Sequence, residues 1–472
     1  MDEALAISFP CKVFPEEPRV QRLLGIYPMR QEGLFMLRVR TPSGQVTLPQ
    51  WRRLAELARE FTPEYPLHLT TRQDVELHGL RPEQIVPAQE ALHVVGLTSA
   101  RTGGDSVRNV VCCPGSGMCP TGMDVLPLGA AILSACEAQP HVHALPRKFK
   151  VSLSACERSC GRPWIQDLGL VCRNDQRFQA VVGGSLGPRP ATGIEYPRTL
   201  ALEEVVPFVL GAMRLFNEEG DRKARGRARL RHVRERLGDA VFLARLEGAF
   251  LEEVRSGRAP VPPQPFPPEG RTLRACLRPP LGDFAPEAAL AMAQVAGAVG
   301  GTLRIGLDHD LLLYGYRPCP LPESLAALIE GPAVVSCPGT AWCSRGIADS
   351  RTVGLRIGER LKGRADFQVR ISGCPNHCAQ SAVADIGLAG CVKTIRDART
   401  ECFRLFAGGG LGVNGQLAHE LHPALPADRA PEAVSWLIDE YRKTNLPSRE
   451  DFSAFILREK ERLVSALAAK EW

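Results

Sequence analysis

Cys337-Pro338-Gly339-Thr340-Ala341-Trp342-Cys343, followed by Gly373-Cys374-Pro375-Asn376-His377-Cys378, decides the architecture because the chain has already written it once. Cys113-Pro114-Gly115-Ser116-Gly117-Met118-Cys119 stands 224 residues before the first motif, and Cys156-Glu157-Arg158-Ser159-Cys160 stands 218 before the second. Working outward, the Thr70–Gly79 block (Thr-Thr-Arg-Gln-Asp-Val-Glu-Leu-His-Gly) has a counterpart at Gly306–Gly315, offset by 236. The Asp-Leu-Gly-Leu step at Asp167–Leu170 answers Asp385–Leu388, and Gly183–Gly187 answers Gly408–Gly412. Order is kept while spacing drifts, as a duplication with later loop insertions and deletions would leave it.

Each copy opens with a short βαβ-like pattern. Phe35–Arg40 alternates like a strand, and a helix from about Pro49 carries Leu54, Leu57, Ala58 and Phe61 on one face. Leu67–Thr71 and Val75–His78 then read as strands. The second copy repeats the pattern with Leu273–Leu277, a helix opened by Pro286 (Leu290, Ala293, Gln294) and Leu303–Leu307. Between the copies, Ala259–Gly270 carries six prolines, a stiff boundary. The tail is helical, with Val434, Leu437, Ile438 and Tyr441 sharing a face. The expected divisions are 1–104, 105–258, 259–330 and 331–472.

Composition narrows the class. The 472 residues are 44% hydrophobic and 23% charged, with a net charge of +6, the balance of a soluble globular protein. The charge is too weak to argue for nucleic acid, but it allows a local cationic pocket. No apolar run is long enough for a membrane helix, and Met1-Asp2-Glu3 lacks the basic start of a secretory signal. The expectation is a cytoplasmic protein with neither a nucleic-acid nor a membrane partner.

In such a compartment grouped cysteines are metal ligands more often than disulfides. Of sixteen, eight fall into two matched quartets, Cys113, Cys119, Cys156, Cys160 and Cys337, Cys343, Cys374, Cys378. Four thiolates in two pairs suit a [4Fe–4S] cluster. Zinc is the rival, although zinc knuckles favour two to four intervening residues. Cations form the second signal, and they occur only in the first copy. Arg72, Arg108 and the run Arg147-Lys148-Phe149-Lys150 all adjoin motif blocks, whereas Asp308, Asp366 and Gln368 stand at the positions of Arg72, Lys148 and Lys150. Cations beside a metal centre stabilise oxyanions and deliver protons.

Together, the Thr-Thr-Arg-Gln block, Arg108-Asn109-Val110, Leu145–Lys150 and the second cysteine set resemble the siroheme-dependent sulfite and nitrite reductase family. The resemblance implies an α+β fold: two ferredoxin-like units about a pseudo-twofold axis, plus two siroheme/[4Fe–4S]-type α/β domains. It implies siroheme and a [4Fe–4S] cluster bridged by Cys378, with Gly409 also among the cofactor-binding residues. It assigns catalysis to Arg72, Arg108, Lys148 and Lys150, with Arg72 and Arg108 also contacting the cofactor. The implied reaction is six-electron reduction of sulfite to sulfide, or of nitrite to ammonia. Lys150 tilts the expectation toward sulfite, because plant-type nitrite reductases tend to place Asn there and a second cation suits a dianion. Gly408–Gly412 does not sit in a strand–helix turn, so no dinucleotide site is expected and electrons would come from a ferredoxin or a flavoprotein.

The first-copy cysteines depart from the family. They could hold a second cluster, a cluster with a catalytically dead second tetrapyrrole, or nothing. Two rival functions use the same scaffold: a precorrin-3B synthase-like enzyme and a non-catalytic iron–sulfur electron-transfer subunit.

Overall fold

The computed structural model describes residues 8–260, 262–263, 270–318, 320–329, 331, 333–362, 367–395, 397–413, 415–444 and 449–470. Asp366, Cys319 and most of the proline-rich boundary lie outside the described residues.

The helix after the first long strand begins where the sequence places it. Thr47 caps Leu48–Phe61 by accepting from the Gln50 N–H, while the Gln50 side chain accepts from the Thr47 N–H. Its buried stripe is Trp51, Leu54, Ala55, Leu57 and Ala58. In the second copy Pro286–Ala298 buries Ala289, Met292, Ala293 and Ala296, while Gln294 faces solvent and Leu290 only half-buries. The stripe is shifted from the expected residues because a wall of alanines lets the two helices approach closely. Trp51 Nε1 donates to the Ala289 carbonyl at 2.8 Å.

The expected βαβ pattern is split. Phe35–Val39 and Leu67–Leu69 do not touch; Val75–Leu80 lies between them, antiparallel to both. The same topology recurs with Thr272–Leu277, Leu311–Gly315 and Thr302–Ile305. Each sheet then borrows a two-residue strand from the other copy. Asp283–Phe284 pairs with Leu67–Leu69, and Gln45–Val46 pairs with Thr302–Ile305. Each loan follows a tight turn with positive φ at its centre, Ser43 in one copy and Leu281 in the other. The following Gly282 has φ +87, and a Cβ there would strike His309 at 2.6 Å. One core therefore serves both units, running through Leu37, Trp51, Leu77, Leu277, Phe284 and Leu303.

The other two sheets are also a matched pair. Val111–Cys112, Val151–Ser154 and Leu168–Cys172 run parallel, then Phe178–Val182 and Ile194–Leu200 return antiparallel. Val334–Ser336, Val369–Ser372, Ile386–Ile395, Ala398–Ala407 and His419–Pro426 repeat that order. The helix Ala430–Arg442 buries the four residues expected on its face. No helix among the described residues is long and apolar enough to cross a membrane.

Candidate functional site

The Thr-Thr-Arg-Gln turn joins two strands of the first ferredoxin-like sheet, and it is locked from three sides. Gln73 sits at φ +60, its side-chain amide donating to the Ile305 carbonyl and its oxygen accepting from the Cys112 N–H. Asn109 Nδ2 donates to the Thr41 and Arg72 carbonyls and to Asp74. Thr71 donates to the Cys378 carbonyl. These bonds present Arg72, which gives one N–H to Gln166 at 3.0 Å and another to the Asn109 carbonyl at 2.5 Å, while its Nε is buried without a partner.

Lys148 and Lys150 enter from the segment before Val151–Ser154. Asp167 accepts from the Lys150 backbone N–H at 2.8 Å and also takes the Arg229 guanidinium at 2.6 Å. Neither lysine ammonium has a hydrogen-bond or ion-pair partner among the described residues. Arg108 folds back on the Gly104 and Ser106 carbonyls.

These groups share one cavity of about 890 Å³, and Cys337, Cys343, Cys374 and Cys378 line it with Arg72, Arg108, Lys148 and Lys150. All four expected catalytic cations and one complete quartet meet there. Gly409 does not reach the cavity wall; it packs against the Val383–Ala384 backbone, where a Cβ would clash at 2.5 Å. The first-copy quartet lies elsewhere.

Crowding shapes the electrostatics. Burial drives Lys148 down to about 7, with Arg229 pushing the same way and the nearby Cys378 sulfur opposing. Burial, Arg72 and Lys148 depress Lys150 well below the ordinary lysine range. Burial lowers Arg72 to about 9 and Arg108 to about 10, so both stay charged at neutral pH. Across the cavity, burial raises Cys337 to about 12 and Cys374 to about 11, with Cys378 adding to both. Thiols that resist ionising beside unpaired cations are what a thiolate-ligated metal would resolve.

The residues fit both groups that the family resemblance implies. Siroheme brings eight carboxylates, and nine arginines and two lysines face the cavity against three acids. The quartet offers one thiolate for each corner of a cubane. Among the described residues no three His, Cys, Asp or Glu side chains meet closely enough to hold a single ion.

Sequence reading passes over Arg229 and Asp167 as parts of this site. Arg229 lies in the arginine-rich run 225–236, which resembles a solvated face. Only its burial against Asp167 shows otherwise. A histidine group is also missed: His68, His78 and His309 line the cavity, and His68 Nδ1 donates to the Asp283 carboxylate at 2.7 Å.

The model of the nitrite and sulphite reductase 4Fe-4S domain matches residues 103–253 and 332–458. That of the nitrite/sulfite reductase ferredoxin-like half domain matches 27–95. An assimilatory ferredoxin-dependent nitrite reductase of Haloferax mediterranei is 27% identical, over 88% of this chain and 81% of its own. A ferredoxin–nitrite reductase of Leptolyngbya laminosa is 29% identical, over 89% of each. The solved Mycobacterium tuberculosis NirA protein shares the fold, with TM-score 0.80 at 22% identity, over 94% of this chain and 90% of that one.

Proposed function

Because the chain belongs to the nitrite and sulphite reductase family, with siroheme and a [4Fe–4S] cluster as cofactors, we propose that it reduces nitrite to ammonia with electrons from a ferredoxin. One observation carries the reading: a complete thiol quartet and the four cations Arg72, Arg108, Lys148 and Lys150 face one chamber. The relatives matched over most of their length are named ferredoxin-dependent nitrite reductases, which supports this substrate and donor. They also favour a reductase over the tetrapyrrole-pathway enzyme or the non-catalytic electron carrier.

When bound, siroheme coupled to the cluster would supply an iron that takes the anion and reducing equivalents one at a time. The chain's own residues do the rest. Cys337, Cys343, Cys374 and Cys378 would hold the cluster, with Cys378 also facing the siroheme. Arg72 and Arg108, fixed by their carbonyl contacts, are preorganised charges that need not rearrange as negative charge develops on the substrate oxygens. Lys148, balanced near neutrality, can give a proton and regain it, so it suits the repeated loss of water. Arg229 lies behind Lys148, and Asp167 holds the Arg229 guanidinium and the Lys150 backbone in place.

Sulfite is the second reading, and Lys150 favours it: a second ammonium beside Lys148 offsets a dianion better than a monoanion. Turnover of each anion by the purified holoenzyme with reduced methyl viologen tests the choice. A higher kcat/KM for nitrite is expected; a strong preference for sulfite overturns it.

A further inference from the structure

We propose that Cys113, Cys119, Cys156 and Cys160 hold a second [4Fe–4S] cluster, one with no tetrapyrrole beside it. The case begins with the backbone. In the first quartet Cys113 N–H donates to the Leu153 carbonyl, Cys119 N–H to Gly115, Met123 N–H to Ala155 and Arg162 N–H to Ser159. In the second, Cys337 N–H donates to Ile371, Cys343 N–H to Gly339, Ile347 N–H to Gly373 and Gln380 N–H to His377. These are the same bonds at the same relative positions. The serine that ties down each loop is matched too: Ser154 Oγ accepts from Gly161 N–H at 3.0 Å, and Ser372 Oγ from Ala379 N–H at 3.2 Å. Both loops also spend a non-glycine residue at positive φ inside the C-x3-C pair, Ser159 at +58 and His377 at +50. Strained backbone kept in both copies is a cradle for the same object.

The side chains agree. The Cys113 thiol lies within hydrogen-bonding reach of Cys160, with Cys156 close enough to interact with it electrostatically. A Cβ built on Gly115 would lie 3.4 Å from Cys119 Cβ and 4.0 Å from Cys113 Sγ, so those two cysteines face one another across the loop.

What differs is the space beyond the thiols. Where the other half opens a chamber of about 890 Å³, the matching wall formed by Asp308 and Gln368 borders a cavity of about 40 Å³. Arg162 closes on Asp308 with two bonds of 2.7 Å and on Gln380 with another, while Arg370 also pairs with Asp308 and Gln368 reaches it at 2.8 Å. Among the described residues this wall is closed by side chains that pair with one another, and it offers a ring-sized ligand no chamber like that of the other half.

The test is iron and acid-labile sulfide per chain in anaerobically purified, reconstituted holoenzyme. About eight non-haem irons are expected. About four, or zinc retained at the first quartet, overturns the proposal. The paired variant Cys113→Ser/Cys156→Ser should lose about four irons and keep siroheme absorbance. The variant Cys337→Ser/Cys374→Ser should lose siroheme yet keep about four irons with an iron–sulfur electron-paramagnetic signal. Loss of all iron in that second variant counts against a separate first-half cluster, whatever becomes of the reductase assignment. Should either variant fail to fold, the wild-type count still decides.

Discussion

Thr71 donates its hydroxyl to the backbone carbonyl of Cys378 at 3.0 Å, joining residues 307 positions apart. The bond ties the turn that presents Arg72 to the last cysteine of the cluster loop, so cation and thiolate are set by one contact. Thr71→Val keeps the shape and removes the donor. It should cost on the order of 1 kcal/mol and lower turnover several-fold with siroheme still bound. Thr71→Ser should restore both. Thermal unfolding, pyridine haemochrome analysis and steady-state kinetics read the three quantities.

Lys148 gives a pH dependence of definite sign. Burial and Arg229 hold it at about 7, so it is protonated below that pH and neutral above. Activity that uses its proton should fall as pH rises through the lysine's pKa. In Lys148→Met the alkaline fall of kcat/KM should disappear, and the rate should drop by roughly 100-fold. A full alkaline limb in that variant would assign the titration to another group.

Asp167 is a positioning residue. Its carboxylate is fully buried, and it holds the Lys150 backbone and the Arg229 side chain. Asp167→Asn leaves a buried guanidinium without its counter-charge, a loss of roughly 3–5 kcal/mol. Besides lower stability, kcat should fall more than KM rises, because Lys150 shifts relative to bound anion.

Acid should weaken the fold through one shared group of residues. Burial lowers His78 to about 4 and His309 to about 3, so both stay neutral in the fold below the pH at which the unfolded chain protonates them. Glu76 resists its burial because Arg38 holds it at about 2. In all three cases the unfolded chain binds the extra proton, so stability is present above about pH 6.5 for the histidines and 4.5 for Glu76, and is lost below. The apoprotein's unfolding temperature should therefore fall steadily from pH 7 to pH 4. His309→Gln should flatten the upper part of that slope.

Phe284 sits in a borrowed strand, fully buried and edge-on to Trp51 with ring centroids 5.7 Å apart. Phe284→Ala should remove about 3–5 kcal/mol. Because the core spans both ferredoxin-like units, denaturant melting of the variant should move both units together rather than split into two steps.

How much of this was legible follows from what each signal depends on. The quartets and the Thr-Thr-Arg-Gln block could be read because ligand spacing and turn chemistry are local, fixed by residues within a few positions. The asymmetry of cations could be read because the duplication supplies its own control, Asp308 against Arg72. The borrowed strands could not: Gln45–Val46 is two residues long, and its pairing partner lies some 260 residues away. Arg229 was hidden by its neighbours, since an arginine among arginines gives no hint that it alone meets a buried carboxylate. Gly409 stands apart from the cavity wall, and its repetition reflects a position where backbone packs tightly against Val383–Ala384.

The reciprocal loan of Asp283–Phe284 and Gln45–Val46 bears on where such a molecule came from. A single repeat made alone would leave one sheet edge unpaired, open to association with whatever chain offered a matching strand. An identical twin offers it best. A forebear encoded at half the length would thus have worked as a symmetric pair with two equal chambers, and joining the genes freed one chamber to be filled in.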